Sequence, residues 1–140
     1  MSKKSEKIQR LLEQHRGKSL DARYLCYFDC FNSGLYYEAH DVLEELWLPV
    51  RREEGAAFYK GLIQLAGAFV HLQKNRLRPA AALFKLSQSN LKKFPAVHER
   101  LSVAEVLGLI ETWLAKLEPG GFHLNPLHQE TAPKLGLLRD

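Results

Sequence analysis

Apolar residues return at three- and four-residue intervals along most of the chain, which is the spacing that gathers them on one face of a helix. No convincing run alternates apolar and polar in the manner of a half-buried strand. Ile8, Leu11 and Leu12 predict a first helix over about residues 5–15, ended by Gly17. Ser19 or Asp21 can cap a second helix, with Leu25, Phe28 and Phe31 on its apolar side. Asn32-Ser33-Gly34 breaks it, and a third helix runs from about Leu35 to Leu48, stopped by Pro49. After a tight connection the fourth covers about Glu53 to Lys74, carrying Phe58, Leu62, Leu65, Phe69 and Leu72 on a core-facing stripe. Gly61 and Gly67 weaken its propensity, so each marks close backbone packing. Pro79 suits the first turn of a fifth helix ending at Phe94, and Ser102 with Glu105 reads as a capping box opening a sixth, which ends near Leu117.

Short connections between neighbouring helices predict an all-α fold, an antiparallel bundle of about five to six helices over residues 1–118. Residues 119–140 hold Pro126, Pro133 and scattered leucines, and read as an extended tail pinned at Phe122, Leu124 and Leu127. Gly34-Leu-Tyr-Tyr-Glu-Ala-His and Asn75-Arg-Leu-Arg-Pro-Ala-Ala each open a helix after a turn. That similarity is too faint to establish a repeat protein.

With 140 residues, 46% hydrophobic and 26% charged, the chain suits one globular domain. Cys26 and Cys30 lie one turn apart on a helix, where a disulfide is hard to form, so they read as buried thiols. The polar N-terminus lacks the apolar stretch of a secretory signal, and the apolar segment Leu62–Leu72 is too short to span a bilayer. A cytoplasmic protein with no membrane segment is the expectation. The net charge of +4 is modest but uneven. Residues 36–54 are acid-rich, whereas Lys74 to Lys93 hold six cations and no acid. Arg78, Lys85 and Lys92 share one face of the fifth helix and form a candidate polyanion surface. No interleaved aromatics support nucleic-acid stacking there, so a solvated face is the first expectation and nucleic acid is not an expected partner. Acidic and basic helices on one small domain could also pair two copies into a homodimer.

The chemistry concentrates in the third helix. Tyr36, His40, Leu43, Glu44 and Trp47 fall on one broad face, and the four-residue spacing lets His40 and Glu44 bond or present together. Folding the fourth helix back symmetrically about the turn places His40 near Gly61–Gln64 and Glu44 near Phe58, with Gln64 able to complete the pair. The segment Gly34-Leu-Tyr-Tyr-Glu-Ala-His-Asp-Val-Leu-Glu-Glu-Leu-Trp47, followed by Gly61-Leu-Ile-Gln-Leu-Ala66, resembles a family of small all-helical proteins catalogued as a domain of unknown function in bacteria, archaea and plastids. Its hallmark is a G-x-Y-x-E-A-H-[ED]-x-x-E-x-x-W helix followed by a G-L-I-Q-x-A helix. The resemblance covers roughly Leu25 to Phe94 and implies a helical bundle, with no activity attached.

Three readings of the Tyr36–His40–Glu44–Trp47–Gln64 group follow. It can be a buried hydrogen-bonded network that fixes helix register. It can line a pocket for a small ligand or for general acid–base work. It can hold a metal, but a third ligand is lacking, since His71 sits about 10 Å beyond Gln64 along the helix. No phosphate loop, nucleophile elbow or Cys–His set occurs, and no cofactor is expected. The sequence therefore predicts a non-catalytic domain acting through a small ligand or protein partner at the His40–Glu44–Trp47 face. The alternatives are a hydrolytic or metal-dependent enzyme using His40 and Glu44, and a weak nucleic-acid binder working through the fifth helix.

Overall fold

The computed structural model describes residues 6–119 and 121–139. Six α-helices occur among them: α1 Glu6–Gln14, α2 Ala22–Asn32, α3 Tyr36–Trp47, α4 Ala56–Gln73, α5 Leu77–Leu91 and α6 Val103–Leu117. The expected start of the first helix at residue 5 lies outside the described residues. The all-α bundle is as the periodicity implies, and its caps follow the sequence signals. Asp21 accepts from the Arg23 N–H at the start of α2, and Ser102 Oγ accepts from the Glu105 N–H at 3.2 Å at the start of α6.

Two helical hairpins, α2–α3 and α4–α5, form the middle of the chain, and both turn in the same way. Leu35 N–H bonds Cys30 O at 2.8 Å and Gly34 N–H bonds Phe31 O at 3.1 Å, with Gly34 at φ +74°. Arg76 N–H bonds His71 O at 2.8 Å and Asn75 N–H bonds Leu72 O at 3.0 Å, with Asn75 at φ +56°. Each is a Schellman turn, in which one left-handed residue lets two N–H groups satisfy the last carbonyls of a helix. The second turn lets α5 begin at Leu77, earlier than the expected Pro79, which still falls in the first turn where its missing N–H costs nothing.

The core is aromatic and runs through α4. Phe69 meets Phe31, Tyr36, Phe84 and Trp113 at centroid distances of 5.0–5.4 Å, most of them edge to face. Cys26 and Cys30 are free, fully buried thiols. The hydrogen bond with Cys26, and then burial, push the Cys30 thiol far above its ordinary value, which suits a packing role rather than a nucleophile.

The hydrophobic pattern gave no sign of one element. Val97–His98 (β1) and Leu101–Ser102 (β2) pair antiparallel, and Leu137 of the tail bridges to Leu101. Strands of two residues are too short to carry an alternating pattern. Their turn places Glu99 at φ +45° and Arg100 at φ +61°, a conformation in which Asn-Gly is the usual signal. Tertiary bonds hold it instead. Tyr24 donates to Glu99 O at 2.8 Å, Tyr59 donates to the Glu99 carboxylate at 3.1 Å, and Leu138 exchanges two bonds with Arg100 at 2.6 and 2.7 Å. The tail is extended, and of its three expected anchors Phe122 and Leu127 pack against the core while Leu124 does not. Leu124 is 78% exposed, whereas Leu135 is buried and Asn32 bonds both the N–H and the C=O of Leu135. Phe122 is half-buried beneath Arg78.

Candidate functional site

The α3–α4 register sets what the third-helix chemistry can reach. Residues Leu48–Val50 form a short 3-10 turn and α4 starts at Ala56, later than the expected Glu53. The added length shifts every α3 residue along α4 toward its C-terminus. Trp47 lies over Lys60, with Nζ 4.4 Å from the ring centroid. A Cβ built on Gly67 would stand 3.8 Å from His40 Cδ2 and 3.2 Å from Leu83 Cδ1 of α5. His40 therefore sits beside Gly67, and not beside Gly61–Gln64 as symmetry about the turn suggested.

Gly61 and Gln64 instead serve the α4–α5 seam. A Cβ on Gly61 would lie 2.8 Å from Leu91 Cγ, so the close approach permitted there is to α5. Ser87, fully buried, donates to Gly61 O at 2.6 Å, and Asn90 Nδ2 donates to Gln64 Oε1 at 2.8 Å. The buried His40–Glu44–Gln64 network expected from the sequence is not assembled. No hydrogen bond links His40, Glu44 and Gln64 to one another among the described residues.

What forms is a partly exposed stripe of α4 between α3 and α5. Along α4, Ala57, Lys60, Gln64 and His71 keep solvent contact while their neighbours on the opposite side are buried. Their three-, four- and seven-residue spacing makes one stripe, with Gly67 inside it. α3 stands on one side with His40, Glu44 and Trp47, all half-buried, and α5 stands on the other with Leu83 and Asn90. Lys60 and Asn90 were not singled out by the sequence reading. Lys60 lies one turn before Gln64 on the same face, which was legible; Asn90 needed the seam geometry.

Tyr36 parts company with this group. It is 1% exposed, stacked on Phe69 at 5.0 Å and edge-on to Phe31 at 5.1 Å. Burial pushes its hydroxyl up to about 12, and that oxygen has no hydrogen-bond partner. His71, one turn beyond Gly67, has a buried Nδ1 without a partner. Desolvation, with Arg76 and Lys74 nearby, lowers its pKa and favours the neutral ring.

The corrected register moves His71 nearer His40 than the sequence pairing allowed, at about 6 Å of helix rise beyond Gly67. Among the described residues, however, no three His, Cys, Asp or Glu side chains converge as metal ligands do. His15, just past α1, bonds Asp29 of α2, and His98 packs edge-on against Phe58 at 4.6 Å and tilted against Phe94 at 5.0 Å. Two of the three cations of the candidate polyanion face have intramolecular contacts. Arg78 lies 4.5 Å over the Phe122 ring and Lys85 pairs with Glu118 at 3.5 Å, while Lys92 is exposed.

Residues 24–83 match the family model described as a domain of unknown function (DUF309). The match runs from α2 to the middle of α5 and contains His40, Glu44, Trp47, Gln64, Gly67 and Leu83. An uncharacterized protein from Aquifex aeolicus (strain VF5) is 28% identical over 121 residues, which are 85% of this chain and 35% of that protein. The chain thus spans about a third of the length of this relative. No solved structure matches it. Among the described residues no helix is long and apolar enough to cross a membrane.

Proposed function

We propose that the chain is a binding domain whose recognition surface is this α3–α4–α5 face. The observation that carries this is the state of His40 and Glu44, which are half-buried, one turn apart, and without a hydrogen-bond or ion-pair partner among the described residues. Side chains kept only for packing or register are paired when burial removes their water. These keep solvent contact and their bonding capacity. Glu44 offers an acceptor, His40 either role, and the Gln64 amide nitrogen a donor. Trp47, with Lys60 above it, gives one end of the face an aromatic wall. A small polar ligand with both donor and acceptor groups suits this set. The Gly-x-Tyr-x-Glu-Ala-His and Gly-Leu-Ile-Gln segments, read as a family signature, contribute His40, Glu44 and Gln64 to it. The two free thiols suit a reducing compartment, which supports a cytoplasmic setting.

The test is a titration of the ¹⁵N-labelled chain with pooled polar metabolites, followed by amide shifts. Saturable shifts confined to residues of α3 and α4 around His40, Glu44 and Gln64, weakened at least tenfold in Glu44→Gln, are expected. Shifts spread over the surface, or unchanged in Glu44→Gln, would overturn the assignment.

A further inference from the structure

A second site lies at the opposite end of α3 from Trp47. A cleft of about 560 Å³ opens where the tail crosses the α2–α3 turn and the end of α4. Its volume falls in the range of small-molecule sites. Ser33, Gly34 and Tyr36 form one wall, Gln73 another, and His128 and Lys134 of the tail a third. No carboxylate lines it.

Three features set its chemistry. First, α3 has twelve residues and no side-chain cap at its start, where Leu35 occupies the N-cap position. The leading N–H groups of a helix lack intrahelical acceptors, and the macrodipole adds partial positive charge there. Second, Lys134 brings a full charge and is itself fixed, its ammonium donating to Asn32 O at 2.6 Å. Gln73 donates to Gly34 O at 2.9 Å and Asn125 to Leu72 O at 2.6 Å, so tail, turn and α4 are tied together around the opening.

Third, the Tyr36 hydroxyl is buried and unpaired, while the residue itself lines the cleft. Helical side chains lean toward the helix N-terminus, and at the first residue of α3 that direction leads to the cleft end of the fold. A buried hydroxyl left without a partner is unfavourable and calls for a ligand or an ordered water.

We propose that this cleft binds a metabolite-sized ligand through an anionic group, phosphate or carboxylate, received by the first turn of α3, Lys134 and the Tyr36 hydroxyl. The site is separate from the His40–Glu44 face and does not depend on the function proposed for it.

Inorganic phosphate and acetate are the probes, titrated separately into the ¹⁵N-labelled full chain at constant ionic strength set with chloride. The expected result is saturable shifts of the Gly34–Glu38 amides and the Gln73 side-chain amide with at least one probe. Saturation by phosphate alone assigns a phosphoryl ligand, and by acetate alone a carboxylate. Lys134→Gln and Tyr36→Phe, each verified as folded by circular dichroism, should weaken that binding about tenfold and about threefold. Failure of both probes to saturate these signals overturns the proposal. So does saturation that neither variant weakens.

Discussion

The two helical hairpins share a turn and diverge in what they do with it. α2–α3 and α4–α5 reverse through the same pair of backbone bonds around one left-handed residue, Gly34 in the first and Asn75 in the second. Beyond the turns the polar groups are treated in opposite ways. In the α4–α5 seam they are paired, fully buried Ser87 on Gly61 O and half-buried Asn90 on half-buried Gln64. On α3 the corresponding chemistry, His40 and Glu44, keeps solvent contact and is left unpaired. A buried polar group retained for structure has its partner inside the protein, whereas one retained for recognition keeps its valences open. By that criterion the α4–α5 seam is scaffold, and α3 brings the unpaired chemistry to the site.

The scaffold half is expected to break most easily at Gly61. Gly61→Val would drive carbon atoms into Leu91, whose Cγ would lie only 2.8 Å from a Cβ at that position. Leu91 is fully buried and has no room to yield. Overpacking of this kind typically costs about 1–3 kcal/mol, and the upper end is expected in urea denaturation. At Gly67 the opposing atom is the terminal Cδ1 of half-buried Leu83, so Gly67→Ala should cost far less. Equal losses at both glycines would show the seams to be alike.

The turns offer a finer comparison. A Cβ on Gly34 meets nothing within 4 Å, so Gly34→Ala isolates the cost of holding an L-residue in the left-handed region. That cost is about 1–2 kcal/mol. Asn75→Gly runs the other way, releasing the same strain at φ +56° while giving up the bond from Asn125 to Asn75 Oδ1. It should leave the midpoint near that of the parent.

How much of this could be read from the sequence follows the range of the interactions involved. Gly34, Asp21, Ser102 and the stripe of Phe58, Leu62, Leu65 and Phe69 act within a few residues, and the elements they predict are the ones found. Even the faint Gly34/Asn75 similarity corresponds to a shared turn. The β1–β2 hairpin was hidden because its turn is held by Tyr24, Tyr59 and Leu138 from afar, with no Asn-Gly to announce it. The site was half visible. His40 and Glu44 share a face because four residues separate them, but their neighbours depend on where α4 begins, and a 3-10 turn moved that start. Tyr36 was grouped with them by spacing alone, and the aromatic core claimed its ring.

A pH titration probes the α3–α4–α5 face without mutation. The folded-state pKa of His71 is lowered, so at mildly acidic pH the unfolded chain binds more protons than the folded one. Stability should therefore be full above the ordinary histidine value near 6.5 and fall as the pH drops below it. In His71→Gln this part of the acid slope should be lost. A slope that persists unchanged would place its origin in another group.

The smallest expected effect is the most informative for the comparison between the hairpins. If His40 and Glu44 were a register-fixing pair, removing either would strand the other and cost about 1–3 kcal/mol. The structure gives them no bond to each other and leaves both in contact with solvent. His40→Ala and Glu44→Gln should then each shift the unfolding free energy by no more than about 0.5 kcal/mol, the range of ordinary surface substitutions. Ser87→Ala, at a buried hydroxyl that donates to Gly61 O, supplies the scale, with about 1 kcal/mol expected from the lost bond. A double-mutant cycle on His40 and Glu44 completes the test. Coupling near zero leaves the pair free for a ligand, and coupling above about 1 kcal/mol would return it to the scaffold.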